Sequence, residues 1–153
     1  MEVTIRPLEE KDAYTSVKWR NIPELWALTK SAPDREITIE DEMTWIRKVM
    51  NDGSKRFAIL ADDTYVGNTY LTDIENGACE YHIFIGDKNY WGKGIARKAS
   101  ELIITFAKDE LHLKAIILEV NEANGAAIHL YKSLGFKQTG MREAFIQMRL
   151  ELS

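Results

Sequence analysis

A strand, a glycine-rich turn and a helix follow one another directly between residues 83 and 97. The apolar residues 83–85 fit a strand, and the segment that begins near Ile95 has the pattern of an amphipathic helix. Gly92 and Gly94 lie in the turn, where the lack of a Cβ lets the backbone approach a ligand closely. The first turn of the helix presents amide N–H groups that lack a partner inside the helix and carry a partial positive charge. This arrangement predicts a cradle for a diphosphate.

Two common phosphate-binding motifs do not fit this turn. A Walker A loop needs Ser or Thr directly after its Gly-Lys pair, but here Gly94 follows Lys93. A dinucleotide-binding fingerprint needs a small residue where Arg97 stands. The turn is instead similar to the Gln/Arg-x-x-Gly-x-Gly/Ala turn of the GNAT superfamily of acetyl-CoA-dependent N-acetyltransferases. Residues 89–94, Asn-Tyr-Trp-Gly-Lys-Gly, take its place, and Asn89 stands where the family has Gln or Arg.

A second segment resembles the same superfamily. The pattern Asn-x-x-Ala-x-x-x-Tyr-x-x-Leu-Gly-Phe begins at Asn124 and includes Ala127, Tyr131 and Gly135. Helical spacing places the first three of these side chains on one face, and the glycine is expected to end the helix. In the family the Asn faces the pantetheine arm of the coenzyme and the Tyr hydroxyl faces the thioester sulfur. Without the resemblance, Asn124 is equally consistent with a helix N-cap and Tyr131 with a core aromatic residue.

The pattern of apolar residues predicts elements in the order β-α-α-β-β-β-α-β-α-β-β, which is the order of the GNAT fold. We therefore expect an α/β (α+β) protein with a mixed, splayed central sheet flanked by helices, in which residues 1–153 form a single N-acetyltransferase domain. Residues 12–28 read as a helix interrupted by Pro23, followed by a loop around residues 31–34. Residues 115–120 are almost wholly apolar and predict a central strand with both faces covered.

The resemblance implies where acetyl-CoA binds. Its pantetheine arm is expected to lie against the splayed edge of the strand at residues 80–85 and to bond to the backbone there, and its diphosphate to meet the turn. Lys93 and Arg97 either add charge to this site or are simply solvated. The predicted coenzyme-binding residues are Phe84, Ile85, Asn89, Trp91, Gly92, Lys93, Gly94, Ile95, Ala96, Arg97, Asn124 and Ala127.

Acetyl transfer to an amine requires that an ammonium loses a proton and that a thiolate gains one. Tyr131 is protonated at neutral pH and is the predicted acid. Glu80 is the first choice for the general base or ammonium anchor, and His82, on the same strand face, is the alternative base. If neither serves, orientation of the reactants and a chain of water molecules carry the rate.

The acceptor is suggested by residues 19–24, Trp-Arg-Asn-Ile-Pro-Glu. This stretch resembles one in GNAT enzymes that acetylate amino-sugar nucleotides, and related openings occur in enzymes for ribosomal-protein N-termini and for spermidine. Trp19, Arg20 and Asn21 are the predicted substrate-binding residues, with Trp19 facing a base or sugar and Arg20 pairing with phosphate. The alternative is a core role for Trp19 and a structural ion pair for Arg20. We expect a small-molecule amine acceptor, with a protein N-terminus or a polyamine as alternatives and a non-catalytic acyl-CoA sensor as the last option.

The composition excludes several other classes. A net charge of -4 and a pI near 5.5 argue against a nucleic-acid partner. We expect no membrane association, because the sequence lacks both a signal-like N-terminus and an apolar run of membrane-spanning length. The single cysteine, Cys79, fits a reducing cytoplasm, and its spacing from His82, His112 and His129 predicts no metal site. We expect a monomer or a homodimer.

Overall fold

The computed structural model describes residues 1–29 and 32–153 of the chain. Four α-helices are present in these residues: α1 (Ala13–Arg20), α2 (Ile39–Met50), α3 (Ile95–Asp109) and α4 (Gly125–Ser133). The strands are β1 (Val3–Pro7), β2 (Lys55–Ala61), β3 (Thr64–Glu75), β4 (Ala78–Ile85), β5 (Ala115–Asn121), β6 (Lys137–Arg142) and β7 (Phe145–Glu151). Short 3-10 helices cover Glu10–Asp12, Pro23–Trp26 and Lys88–Tyr90. The order of helices and strands is the one that the sequence predicts.

The strands form one mixed sheet in the order β1-β2-β3-β4-β5-β7-β6. Neighbouring strands are antiparallel except β4 and β5, which are parallel. The helix α3 connects these two parallel strands and packs on β1, β3 and β4. The sheet and its helices confirm the predicted α/β fold.

The core has a part on each face of the sheet. On one face, α3 and α4 pack against the centre of the sheet through residues such as Ile103, Tyr131 and Ile116. On the other face, Ile46 and Val49 of α2 cover β2 and the loop that follows β1. Because α1 and α2 lie over β2 and β3, they can form the second wall of a cavity whose first wall is the sheet.

The parallel strands β4 and β5 separate part-way along their length. They pair only where residues 78–80 face residues 115–117. From Tyr81 onward β4 continues to pair with β3, whereas β5 continues to pair with β7. The backbone groups that β4 and β5 turn toward each other beyond this point lack a strand partner, and an extended ligand with amide groups can supply one. The predicted splay is therefore present.

Two details of the sequence prediction are wrong. The helix α1 ends at Arg20, and only a 3-10 turn follows, because Pro23 has no N–H and forces the preceding Ile22 into an extended conformation. The central strand β5 is not covered on both faces: Ile117 is 39 % exposed and lies where β4 leaves β5. The predicted loop at residues 31–34 lies partly outside the described residues.

The start of α2 and the end of α4 are stabilised by capping interactions. Thr38 caps α2 by accepting a hydrogen bond from the Asp41 amide, and the Asp41 carboxylate accepts one from the Thr38 amide. After α4, Gly135 adopts a φ of 101°, and the Phe136 amide bonds to the Tyr131 carbonyl. Within residues 1–29 and 32–153, none of the helices has the length and apolar character to cross a membrane.

Candidate active site

The sheet provides one wall of the site through alternate residues of β3 and β4. Side chains on a strand alternate between its faces, so Glu80, His82 and Phe84 share one face of β4. Each is opposite a residue of β3, in the pairs Thr72–Glu80, Tyr70–His82 and Asn68–Phe84. The Tyr70 and His82 rings stack with centroids 4.6 Å apart. These cross-strand pairs hold the side chains of β4 in fixed positions.

Two cavities meet at this wall. The first, of about 290 Å³, lies in the splay between β4 and β5 and reaches Asn124, Ala127 and Tyr131. The second, of about 480 Å³, lies between the wall and the helices α1 and α2. Five of the described residues line both cavities: Trp26, Tyr70, Glu80, His82 and Phe84. A ligand in the splay can therefore meet a second ligand over the face of β4.

The turn after β4 has the backbone conformation expected of a diphosphate cradle. Gly92 and Gly94 have φ values of 74° and 77°, a region in which other residues are strained. Gly94 precedes α3 and provides no side-chain cap, and the first turn of α3 contains no acidic residue. The first amides of α3 are thus left for an anion at the positive end of the helix.

The side chains around the cradle differ in their burial and in their contacts. Ile95 is buried in the core, so it can contribute only its backbone, whereas Ala96 is partly exposed. Arg97 donates a 2.6 Å hydrogen bond to the Ser133 hydroxyl and lies 3.5 Å from Glu101. Lys93 is exposed to solvent.

Two further residues near the cradle have hydrogen bonds of their own. Asn89 is exposed in the turn, and its backbone N–H donates a hydrogen bond to the Asp87 carboxylate. The Trp91 indole N–H donates a 2.9 Å hydrogen bond to the Ile85 carbonyl, which is one of the backbone groups expected to bind pantetheine. Phe84 is fixed by stacking on the Trp26 ring, with centroids 4.6 Å apart.

The helix α4 brings the second motif to the splay. Asn124 is the N-cap of α4: its side-chain oxygen accepts a hydrogen bond of 3.2 Å from the Ala127 amide. The amide nitrogen of the Asn124 side chain has no partner within the described residues and lines the first cavity. The structure therefore supports the N-cap interpretation and leaves the nitrogen available for a ligand.

Tyr131 is 8 % exposed and packs edge-on against Tyr81 and Phe136, with centroid distances of 6.4 and 5.7 Å. Its hydroxyl makes no side-chain hydrogen bond within residues 1–29 and 32–153 and lies at the first cavity. Burial, with a smaller contribution from Tyr81, raises the pKa of this hydroxyl. Tyr131 is therefore a protonated donor at neutral pH.

Glu80 and His82 lie together at the junction of the two cavities. The His82 Nε2 atom is 3.0 Å from the Thr72 hydroxyl and 3.3 Å from a Glu80 carboxylate oxygen. Burial and the positive charge of Arg56 lower the pKa of His82 to about 4. His82 is therefore neutral at pH 7 and about as weak a base as an ordinary carboxylate, so its pKa gives it no advantage over Glu80 as the proton acceptor.

The predicted substrate residues are mostly engaged by the protein itself. Trp19 is 6 % exposed, and a Cβ at Gly86 would lie only 2.0 Å from its ring, so a glycine is required there. Asn21 joins α1 to the loop before α2 through hydrogen bonds of 2.8 Å with the Ile37 carbonyl and amide. Trp19 still lines the second cavity, but Asn21 does not.

Arg20 has an acidic partner inside the second cavity. Its Nε lies 3.9 Å from a carboxylate oxygen of Glu42, and its guanidinium lies over the rings of Trp26 and Trp45 at 5.2 and 5.3 Å. The structure therefore supports the interpretation of Arg20 as an ion-pair partner. Burial raises the pKa of Glu42, and the Ser16 hydroxyl and, after it, the charge of Arg20 oppose this shift.

The sequence analysis missed several residues that line the second cavity. They are Glu42, Trp45, Arg56, Asn68, Tyr70, Thr72 and Asp73. One signal was present: Glu42 occupies a core-facing position of α2, four residues before the buried Ile46, where an apolar residue is usual. In the described part of the chain, no group of three or more His, Cys, Asp or Glu side chains is arranged to hold a metal ion.

The model of the GNAT acetyltransferase domain family matches residues 2–137. The chain belongs to this family. GNAT enzymes transfer an acetyl group from acetyl-CoA to an amine, so the protein is an N-acetyltransferase by family. The splay, the glycine cradle and the start of α3 fit the coenzyme that the family uses.

Curated relatives cover most of this GNAT domain. The chain is 29 % identical over 148 residues to the spermidine N(1)-acetyltransferase of Escherichia coli K12, with 94 % of this chain and 78 % of that protein covered. It is 30 % identical over 167 residues to the alpha/beta-tubulin-N-acetyltransferase 9 of Drosophila melanogaster, with 97 % and 82 % covered.

Solved structures share the fold. The crystal structure of a spermidine N-acetyltransferase from Vibrio cholerae in complex with CoA and spermine superposes with a TM-score of 0.86. The identity is 23 %, and 97 % of this chain and 95 % of that chain are covered. At this identity the match shows the fold alone.

Proposed function

We propose that this GNAT protein transfers the acetyl group of acetyl-CoA to a primary amine of a small polyamine. The observation that carries this proposal is the acidic character of the space where the acceptor must lie. Among the described lining residues, the first cavity has Glu80 and Glu119 and no Lys or Arg, and the second adds the acids Glu42 and Asp73 and the bases Arg20 and Arg56, so acids outnumber bases over the two cavities. A polyamine is cationic along its length, and carboxylates near the thioester lower the free energy of bringing it there.

We assign one cavity to the acetyl donor and the other to the acceptor. In this proposal, the thioester lies in the splay between β4 and β5, and its diphosphate meets the amides at the start of α3. The polyamine extends from the second cavity to the wall of β4. Five of the described residues line both cavities, so the amine nitrogen can reach the acetyl carbon over Glu80 and His82.

The reaction needs the nitrogen to lose two protons and the thiolate to gain one. The ammonium first loses a proton to Glu80, directly or through water, and the neutral nitrogen attacks the acetyl carbonyl carbon. The carbon–sulfur bond then breaks as the CoA thiolate takes a proton from Tyr131, and the second proton of the attacking nitrogen returns Tyr131 to its protonated form. The buried, protonated Tyr131 hydroxyl and the carboxylate of Glu80 lie at the same cavity, which suits an acid and a base that act on the two ends of one reaction.

A polyamine is better supported than an amino-sugar nucleotide. Arg20 was expected to pair with a phosphate, but its guanidinium already contacts Glu42 and two indole rings. A nucleotide diphosphate would have to compete with these groups for Arg20. A spermidine acetyltransferase is also among the curated relatives. Because the name of the Drosophila relative includes tubulin, a peptide acceptor belongs in the test.

The test is the rate of CoA release from acetyl-CoA, followed with a thiol-reactive dye. The acceptors are spermidine, spermine, an amino-sugar nucleotide, an aminoglycoside and a peptide with a free N-terminus. Turnover with the polyamines that exceeds turnover with the others by at least tenfold in kcat/KM is expected. Turnover confined to the amino-sugar nucleotide or to the peptide would refute the proposed acceptor class.

A further inference from the structure

Glu42 is a buried acid that faces the second cavity. It is 1 % exposed and lies on the core side of α2, in line with Ile46 and Val49. Its Oε1 atom has no hydrogen-bond partner within residues 1–29 and 32–153. A buried carboxylate without such partners is destabilising by several kcal/mol, on the order of the desolvation penalty of an ion. A function in ligand binding is one reason for a protein to keep such a group.

The neighbours of Glu42 do not satisfy this oxygen. The Nε atom of Arg20, at 3.9 Å, is beyond hydrogen-bonding distance and has no other partner in the described residues. The Arg20 guanidinium lies between the rings of Trp26 and Trp45. The hydroxyl oxygen of Ser16, one helical turn before Arg20, is also buried without a partner. Ser16 is nevertheless close enough for its hydroxyl, which can donate, to lower the pKa of the Glu42 carboxyl, so the acceptor that lacks a donor is the Glu42 Oε1 atom.

The charges around the second cavity favour a cation. The described lining residues include three carboxylates, Glu42, Asp73 and Glu80, and two guanidinium groups, Arg20 and Arg56. Arg56 also lies 3.7 Å from a further carboxylate, that of Asp52, which does not line the cavity. A positively charged ligand offsets this excess of negative charge.

We infer that Glu42 binds a second cationic nitrogen of the acceptor, with the Ser16 hydroxyl as a further contact, while the reacting nitrogen lies at Glu80. This inference rests on the proposed function and adds a specificity determinant to it. An ammonium has donors only, and it supplies the hydrogen bond that the Glu42 Oε1 atom lacks. The enzyme then prefers acceptors with two cationic nitrogens to monoamines, and Glu42 is the residue that carries the preference.

A hydroxyl group is the alternative ligand. It can donate to Glu42 and accept from the Arg20 Nε, whereas an ammonium cannot accept. The two ligands are distinguished by three acceptors of similar length: putrescine, its analogue in which one amine is replaced by a hydroxyl, and butylamine. The reacting amine is the same in all three, so differences in kcat/KM report on the distal group.

The wild-type protein is expected to use putrescine with a kcat/KM at least about tenfold above that of butylamine, mainly through KM, because a hydrogen bond to a charged group stabilises by more than one between neutral groups. In Glu42→Gln, the ratio of putrescine to butylamine falls about tenfold. The matched control is Glu40→Gln, which makes the same charge change at an exposed position of the same helix and leaves the ratio unchanged.

A wild-type ratio near one, or an amino alcohol that equals putrescine, overturns the inference. So does a Glu42→Gln protein that retains the full ratio. If Glu42→Gln does not fold, calorimetric binding of putrescine and butylamine to the wild-type protein with CoA present decides: equal affinities overturn the inference. Failure of the proposed function is distinguishable, because then none of the three amines, nor spermidine, releases CoA from acetyl-CoA.

Discussion

The substitution Tyr131→Phe separates a catalytic hydroxyl from a structural one. The ring packs against Tyr81 and Phe136, and a phenyl ring keeps these contacts. The hydroxyl makes no side-chain hydrogen bond in the described part of the chain, so its removal breaks none there. The change therefore removes a proton donor from the first cavity and little else.

The expected effects on rate and stability differ sharply. If Tyr131 protonates the CoA thiolate, its loss lowers kcat by about 10²- to 10⁴-fold, the usual contribution of a general acid. The free energy of unfolding should stay within about 0.5 kcal/mol of the wild-type value, because neither packing nor a hydrogen bond is lost. A hydroxyl that stabilises the fold would instead contribute about 1 kcal/mol, which lowers Tm by roughly 2–4 °C in a chain of this size.

The assay combines steady-state kinetics of CoA release with thermal unfolding on the same preparation of Tyr131→Phe. We expect a large loss of kcat, an affinity for CoA within twofold of the wild-type value, and an unchanged Tm. A kcat within threefold of the wild-type value would refute the acid role, and a lowered Tm together with reduced CoA binding would assign the hydroxyl to structure.

Three further predictions concern other residues of the site. Glu80→Gln should lower kcat by about 10²-fold near pH 7. The loss should become smaller as the pH approaches the amine pKa of about 10.4, because more of the amine in solution is then already neutral. A loss that does not change with pH argues against the role of Glu80 as the base. Gly94→Val should weaken CoA binding in calorimetry by roughly tenfold, because a β-branched residue at a φ of 77° costs at least about 1–2 kcal/mol and displaces the start of α3; an unchanged Kd contradicts the cradle. His82 has a pKa of about 4 in the folded chain, against about 6.5 when unfolded, so below pH 6.5 only the unfolded chain takes up its proton. The free energy of unfolding, measured with urea, should therefore fall by about 2 kcal/mol between pH 7 and pH 5 because of His82. In His82→Gln this fall should be smaller. Equal falls in the two proteins would contradict this account.

Local signals were sufficient to predict the order of elements and the positions of the glycine turn and of the motif on α4. The alternation of apolar residues, the glycines of the turn and the motif from Asn124 to Gly135 each depend on neighbours in the chain. They therefore predicted the start of α3 and the face of α4 that carries Tyr131, and the family resemblance that they carry implied the splay. The length of α1 was mispredicted, because residues 21–28 have helical composition but Pro23 removes an N–H that an α-helix requires.

The acceptor side depends on contacts between segments that are distant in the chain. The second cavity combines Arg20 of α1, Glu42 of α2 and Tyr70 of β3, and their meeting follows from the register of β2 with β3 and the packing of two helices over them. None of this is encoded in a short motif. The exposure of Ile117 has a similar origin, since it results from the departure of β4 rather than from the composition of β5.

The central claim is transfer of the acetyl group from acetyl-CoA to an amine of a polyamine. The most direct measurement is mass spectrometry of the acceptor after incubation of the protein with acetyl-CoA and spermidine, with the amount of free CoA determined in the same sample. The account predicts acetylspermidine in an amount equal to the CoA released, and its loss in Glu80→Gln and Tyr131→Phe. Release of CoA without acetylspermidine, or binding of acetyl-CoA without turnover of any amine, would contradict it.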